Sequence, residues 1–264
     1  MAPLVSSPES LLGRERFVPR PPTVCGYADM TTASERTLIN ETAFDVLRRV
    51  PAIPRVMQVF RFGGATHERI GRLETVARDG DDIVCGGACH DARIRASAIA
   101  SVIADRSGKM KDLKLPRIDF RDKSGEVIFS IIVMEGGLKS FNAALEGLSE
   151  SAAPAADPRE TPEKKELDEQ DPGLSPFARA VEKAVPITIA VQGPGFRQAW
   201  GGIAESVKPG MGFINVMRPD FHLHLKGGAV ADWRREGAGG EAVWTALDAH
   251  GAPTGLTVRG DIGL

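Results

Sequence analysis

Short apolar runs separated by glycine and aspartate breaks dominate this chain. Val56–Phe62 reads as a strand, Gly63-Gly64 as a turn and residues 70–76 as a second strand. Asp79-Gly80-Asp81-Asp82 is turn chemistry, and Ile83-Val84-Cys85 opens the next strand. Residues 98–104 and 118–120 follow as strands, and Asp122-Lys123-Ser124-Gly125 makes a hairpin turn into Val127–Val133. Two stretches carry helical spacing. Residues 34–50, with Ser34 as a potential N-cap, place Leu38, Phe44, Leu47 and Val50 roughly on one side before Pro51. After Gly136-Gly137, Leu138, Phe141, Leu145 and Leu148 line one face of a second helix.

The clearest alternation lies in 208–226. After a Pro-Gly turn the chain is apolar through Phe213, Ile214, Val216 and Met217. It breaks at Arg218-Pro219-Asp220 and alternates over Phe221–Lys226. Phe221, Leu223 and Leu225 then share one face of a half-buried strand, and His222, His224 and Lys226 share the other. Two imidazoles and an ammonium on one face suit an anion or a metal, or simply water.

The pattern recurs. Val59 to Gly64 lines up with Ile189 to Pro194 at an offset of 130, and Ala98-Ile99-Ala100 with Ala229-Val230-Ala231 at 131. Asp122 to Gly125 meets Asp248 to Gly251 after a small deletion. These matches predict an α+β fold of two tandem pseudo-symmetric repeats, each a mostly antiparallel sheet with flanking helices. The expected organisation is a disordered lead-in (1–33), a first repeat (34–150), a linker rich in proline and charge (151–176) and a second, truncated repeat (177–264).

Bulk properties narrow the function. An apolar share of 42% is enough for a buried core. A formal net charge of −2 offers no electrostatic basis for nucleic acid or an anionic membrane as main partner. No window approaches eighteen apolar residues, and the N-terminus lacks the apolar core of a signal peptide, so the expectation is a cytoplasmic protein without membrane insertion. Three cysteines, an odd number, do not make a disulfide scaffold. Cys85, Cys89 and His90 form a candidate thiol or metal site; three residues separate the cysteines, where covalent haem attachment uses two. Gly193-Pro194-Gly195 lacks the ending of a phosphate loop and reads as a turn. No Ser-His-Asp order or carboxylate pair suggests a hydrolase.

The stretches GFINVMRPDFHLHL with AVADW, VPITIAVQGPGF, VMQVFRFGGATHERIG, DARI and IDFRDKSGEVIF together resemble the HemS/ChuS/HmuS (ChuX-like) family over roughly residues 50–150 and 180–260. The family comprises cytoplasmic haemin-utilisation and haemin-degrading proteins of bacteria, built from tandem repeats. The resemblance implies haem as cofactor, with a histidine between the halves on the iron and arginines holding the propionates or facing the metal. DARI makes Arg93 the counterpart of the arginine on the distal side, and strand register adds Arg95. The His67-Glu68 pair also matches the family, placed for strand packing. The axial histidine has no counterpart: 148–185 contains none, and the C-terminal tyrosine and Gly-Gln-Arg cluster are replaced by LTVRGDIGL. Haem degradation therefore does not follow from the resemblance alone. The expected substitute set is Arg93, Arg95 and Lys226 for the propionates, with His222 or His224 as imidazole and His224 on the iron. The family's closing helix is also missing, which favours a homodimer covering that face. The alternatives are an interaction module that kept the fold without the ligand, or a protein using Cys85, Cys89 and His90.

Overall fold

The computed structural model describes residues 35–153, 167, 168 and 170–263, and among these described residues turn glycines and aspartates separate twenty strands and three α-helices. The first half holds β1 (Arg36–Ile39), α1 (Ala43–Leu47), β2 (Val56–Phe62), β3 (Ala65–Gly71), β4 (Thr75–Asp79), β5 (Asp82–Gly87), β6 (His90–Arg95), β7 (Ser101–Asp105), the short β8 (Lys109–Met110) and β9 (Leu113–Lys114), β10 (Arg117–Arg121), β11 (Val127–Val133), α2 (Gly137–Leu145) and β12 (Glu150–Ala152). The second holds α3 (Ser175–Lys183), β13 (Pro186–Gly193), β14 (Phe196–Ile203), β15 (Val207–Gly210), β16 (Phe213–Arg218), β17 (Phe221–Lys226), β18 (Asp232–Glu236), β19 (Val243–Leu247) and β20 (Pro253–Arg259). Sheet dominates, and the helices are short.

The strands form a ten-stranded sheet, ordered β12-β1-β7-β10-β11-β2-β3-β17-β16-β15, and an eight-stranded sheet, ordered β18-β19-β20-β13-β14-β6-β5-β4; β8 and β9 pair alone. The repeats exchange strands. β4 to β6 of the first join the second half's sheet through β14, and β15 to β17 of the second join the first half's sheet through β3. The repeat boundary is thus not a domain boundary, and residues 34–264 form one compact unit.

Contacts across the repeats fix their register at 131 in this region, one more than the offset read around Val59. Lys226 N donates to Gly64 O at 2.9 Å, and Arg95 N donates to Gly195 O at 2.8 Å. Gly64 and Gly195 both have positive φ, 83° and 71°. A Cβ on Gly64 would lie 2.4 Å from that of Ala229, and one on Gly195 the same distance from that of Ala98. The one-residue correction matters because side chains alternate between sheet faces.

The sheets pack through faces rich in aromatic side chains. Phe60 stands 4.4 Å from Phe196, Phe196 4.7 Å from Phe129, and Trp200 stacks on Phe221 at 4.6 Å between ring centroids. Within this apolar layer His67 of β3 and Gln198 of β14 meet, at equivalent positions of the two repeats. Gln198 Nε2 donates to His67 Nδ1 at 2.8 Å, so His67 carries its proton on Nε2 and donates it to Ile189 O at 3.2 Å. Gln198 also reaches Gln58 O at 3.3 Å, the counterpart of Ile189. Burial pushes the His67 pKa down to about 3 and the His90 pKa down to about 4.

Some elements differ from the sequence pattern. The region expected as one helix from 34 to 50 is strand β1 plus the short α1, because Thr42 caps α1, accepting from Asp45 N at 3.2 Å, while 37–39 pair with both β7 and β12. Ser34 and the lead-in lie outside the described residues. The strand expected at 70–76 is two, β3 and β4, with a break after Gly71. Much of the expected linker lies outside the described residues as well. Its edges are ordered: Glu150–Ala152 pairs with β1, and Asp171 accepts from Gly173 N at 2.8 Å ahead of α3.

Two predictions follow from this packing. Unfolded His67 takes a proton near 6.5 while the folded ring stays neutral to about pH 3, so acid favours the unfolded chain over that window. Urea unfolding of His67→Gln is expected to lose about 2 kcal/mol less than wild type between pH 7 and 5; equal losses would show that His67 titrates normally in the fold. Gly64→Val and Gly195→Val should each cost ~1–3 kcal/mol, since both combine positive φ with a clash. A neutral effect at either position in urea titration would contradict the paired contacts.

Candidate functional site

The inward direction of His67 and Gln198 sets the direction of every neighbour by alternation. On the ten-stranded sheet the outward residues include Arg61 on β2, Thr66 and Glu68 on β3, His222 and His224 on β17, and Asn215 on β16. Register places Glu68 opposite His222, and Thr66 opposite His224, which in turn faces Asn215. His222 Nδ1 lies 3.2 Å and His224 Nε2 3.8 Å from the same Glu68 Oε2. His224 Nδ1 contacts Asn215 Oδ1 at 2.6 Å. Burial lowers the His224 pKa; Glu68 opposes this, while His222 and Arg61 add to it. Both rings are part-exposed. Among the described residues this is the one cluster whose His, Cys, Asp or Glu donor atoms converge in a set of three or more.

The equivalent outward face of the eight-stranded sheet has different chemistry. Arg93 on β6 stands opposite Arg197 on β14, which stands opposite Gln192 on β13. Beside them is a cavity of about 330 Å³, lined by Ala190, Gln192, Arg197, Thr245, Gly255, Thr257, Pro253 and the ring of Phe62. Ala190 and Gly255 are the smallest of its lining residues. Arg93 donates to Asp79 Oδ2 at 2.8 Å and Asp82 Oδ2 at 3.0 Å, and Arg197 lies 3.7 Å from Asp91. These pairs are largely solvent-exposed, so each contributes little to stability.

The sequence-predicted set is therefore divided. Arg93 and Arg95 are exposed on the outer face of one sheet, and His222, His224 and Lys226 belong to the outer face of the other. The expectation of one cleft holding Arg93 and His224 together does not match this arrangement: pseudo-symmetry that makes the positions equivalent also puts them on opposite sides. Cys85, Cys89 and His90 do not converge either. Cys85 is buried in strand β5, and burial pushes its thiol pKa up to about 12. Cys89 sits in the β5–β6 turn against Gly71, and His90 Nε2 contacts Gly71 O at 3.3 Å. Sequence reasoning missed Arg197, Asn215 and the role of Glu68. Alternation from His67 outward was the available signal for Glu68; nothing local marked Arg197.

Among the described residues no helix is long and apolar enough to cross a membrane. No family model matches the sequence, and no curated protein matches it. Solved structures do match. Apo-PhuS, a heme-binding protein from Pseudomonas aeruginosa, aligns with a TM-score of 0.69 at 17% identity, covering 85% of this chain and 81% of that one. Holo-PhuS aligns at 0.68 and 18% identity, covering 85% and 81%. ChuS, an E. coli heme oxygenase, aligns at 0.70 and 14% identity, covering 86% and 83%. At such identities the likeness is one of architecture, and it matches the fold that the HemS/ChuS/HmuS resemblance implied: this chain has the fold of PhuS and ChuS.

Proposed function

We propose that this chain is a haem-binding protein of haem utilisation, acting in the cytoplasm as a divergent member of the HemS/ChuS/HmuS family. The observation that carries the reading is the outer face of the eight-stranded sheet, where the paired arginines Arg93 and Arg197 stand beside a cavity whose lining includes Ala190 and Gly255, on a fold shared with a heme-binding protein. The haem carboxylates would pair with these guanidinium groups, which offer two parallel N–H donors to a carboxylate. Arg95, on the same strand face, adds charge at the rim. The porphyrin would lie against Ala190, Gly255 and Phe62.

The fit is one-sided. The carboxylate end suits the residues present, but among the described residues none of the strand positions on this face carries an imidazole or thiol for iron. His222 and His224, the ligands expected from sequence, are on the other sheet's outer face. Haem transfer or storage, which needs no chemistry at the iron, is the proposed role. A second reading is an interaction module, favoured by one fact: Arg93 is already engaged by Asp79 and Asp82.

Titrating haemin while following the Soret band separates the two. Wild type should give a saturable shift, with Arg93→Ala and Arg197→Ala each weakening binding about tenfold, the equivalent of about 1.4 kcal/mol, and His222→Ala/His224→Ala leaving it unchanged. Loss of the shift in the histidine variant alone would move haem to the opposite face. No shift in wild type at tens of micromolar, roughly −6 to −7 kcal/mol, would leave the interaction module as the reading.

A further inference from the structure

We propose that Glu68, His222 and His224 form a binding site for a first-row transition-metal dication, of which Zn²⁺ is the simplest probe, on the outer face of the ten-stranded sheet. This site is independent of the haem reading and on the opposite side of the molecule.

Three donors converge from two neighbouring strands. Their ligating atoms lie within 4.8 Å of one another. In a tetrahedral ion with bonds of about 2.0–2.1 Å, donor atoms stand about 3.4 Å apart. The two contacts of Glu68 Oε2, 3.2 Å to His222 and 3.8 Å to His224, bracket that spacing. Two imidazoles and one carboxylate are a donor set that suits zinc or ferrous iron and leaves a coordination position for water or another ligand.

Proton placement supports the same conclusion. Asn215 Nδ2 donates to Lys208 O and Phe213 O, both at 3.1 Å, which turns Oδ1 toward His224. A carbonyl oxygen only accepts, so His224 Nδ1 carries the proton and Nε2 presents a bare lone pair to Glu68. Two acceptors then face each other across 3.8 Å. A cation between them resolves the repulsion. Holding the far nitrogen of a histidine in this way is how outer hydrogen bonds orient a metal ligand.

The fold supplies its own control. At the 131 offset Glu68, His222 and His224 correspond to Ala199, Asp91 and Arg93, and that sheet forms without the donor set. The three residues are therefore not required for the strands to pair, and their replacement should leave the fold intact.

The test is calorimetric titration of chelator-treated protein with Zn²⁺, with Co²⁺ absorption as a second readout of tetrahedral nitrogen and oxygen ligation. One equivalent should bind wild type. Glu68→Ala and His224→Ala should weaken it at least about a hundredfold, with thermal unfolding of these two metal-free variants unchanged, and Asn215→Leu by about ten- to a hundredfold. Zn²⁺ bound by the His222→Ala/His224→Ala double variant as tightly as by wild type would overturn the proposal, as would wild-type binding weaker than roughly 1 mM.

Discussion

The contact between His67 and Gln198 organises this protein. Equivalent residues of two repeats can touch only where the axis relating the repeats passes between them. Each then hydrogen-bonds a backbone carbonyl of the other repeat: His67 reaches Ile189, and Gln198 reaches Gln58. Buried polar groups are costly unless paired, so a reciprocal pair inside an aromatic layer tolerates few other arrangements of the sheets. Burial keeps His67 neutral, and a proton on Nδ1 would also point at the Gln198 amide hydrogens. Removing either side chain would strand the other, which is why substitution here is expected to act on the whole unit.

From that axis the rest of the arrangement follows. The repeats exchange their β4–β6 and β15–β17 segments, so each sheet is completed by strands of the other repeat. The exchange buries a continuous seam from Phe120 through Phe129 and Phe196 to Phe60. It also leaves two equivalent outer faces, one on each sheet. Positions that correspond carry different chemistry: Arg93 against His224, Arg197 against Thr66, and Asp91 against His222. One face pairs arginines with aspartates beside a cavity; the other gathers imidazoles round a carboxylate. The two proposed sites therefore lie on separate faces, and neither shares a residue with the other.

Much was legible along the chain. Period-two alternation correctly placed Phe221, Leu223 and Leu225 inward with His222 and His224 outward, since that pattern needs only a strand with one buried face. Turn glycines located the hairpins, because positive φ at Gly64 and Gly195 is a local requirement. The recurrence of those turns matches the equivalent contacts of Gly64 and Gly195 at an offset of 131. The first helix failed at 34–50 because apolar spacing there was compatible with a strand, and pairing of 37–39 on both sides decided the matter.

What the sequence by itself determined was several strands of the first half, the inward face of Phe221–Lys226 and the recurrence of turn glycines, all consequences of short-range sterics and burial. Only the tertiary structure decided which strands share a sheet. That choice depends on contacts between residues a hundred or more positions apart, such as Arg95 with Gly195 and His67 with Gln198, which no local pattern encodes. It separated Arg93 from His224, brought Arg197 beside Arg93, and set Glu68 against two histidines. Side-chain chemistry is written residue by residue, but a site exists only where the packing of distant strands makes those residues neighbours.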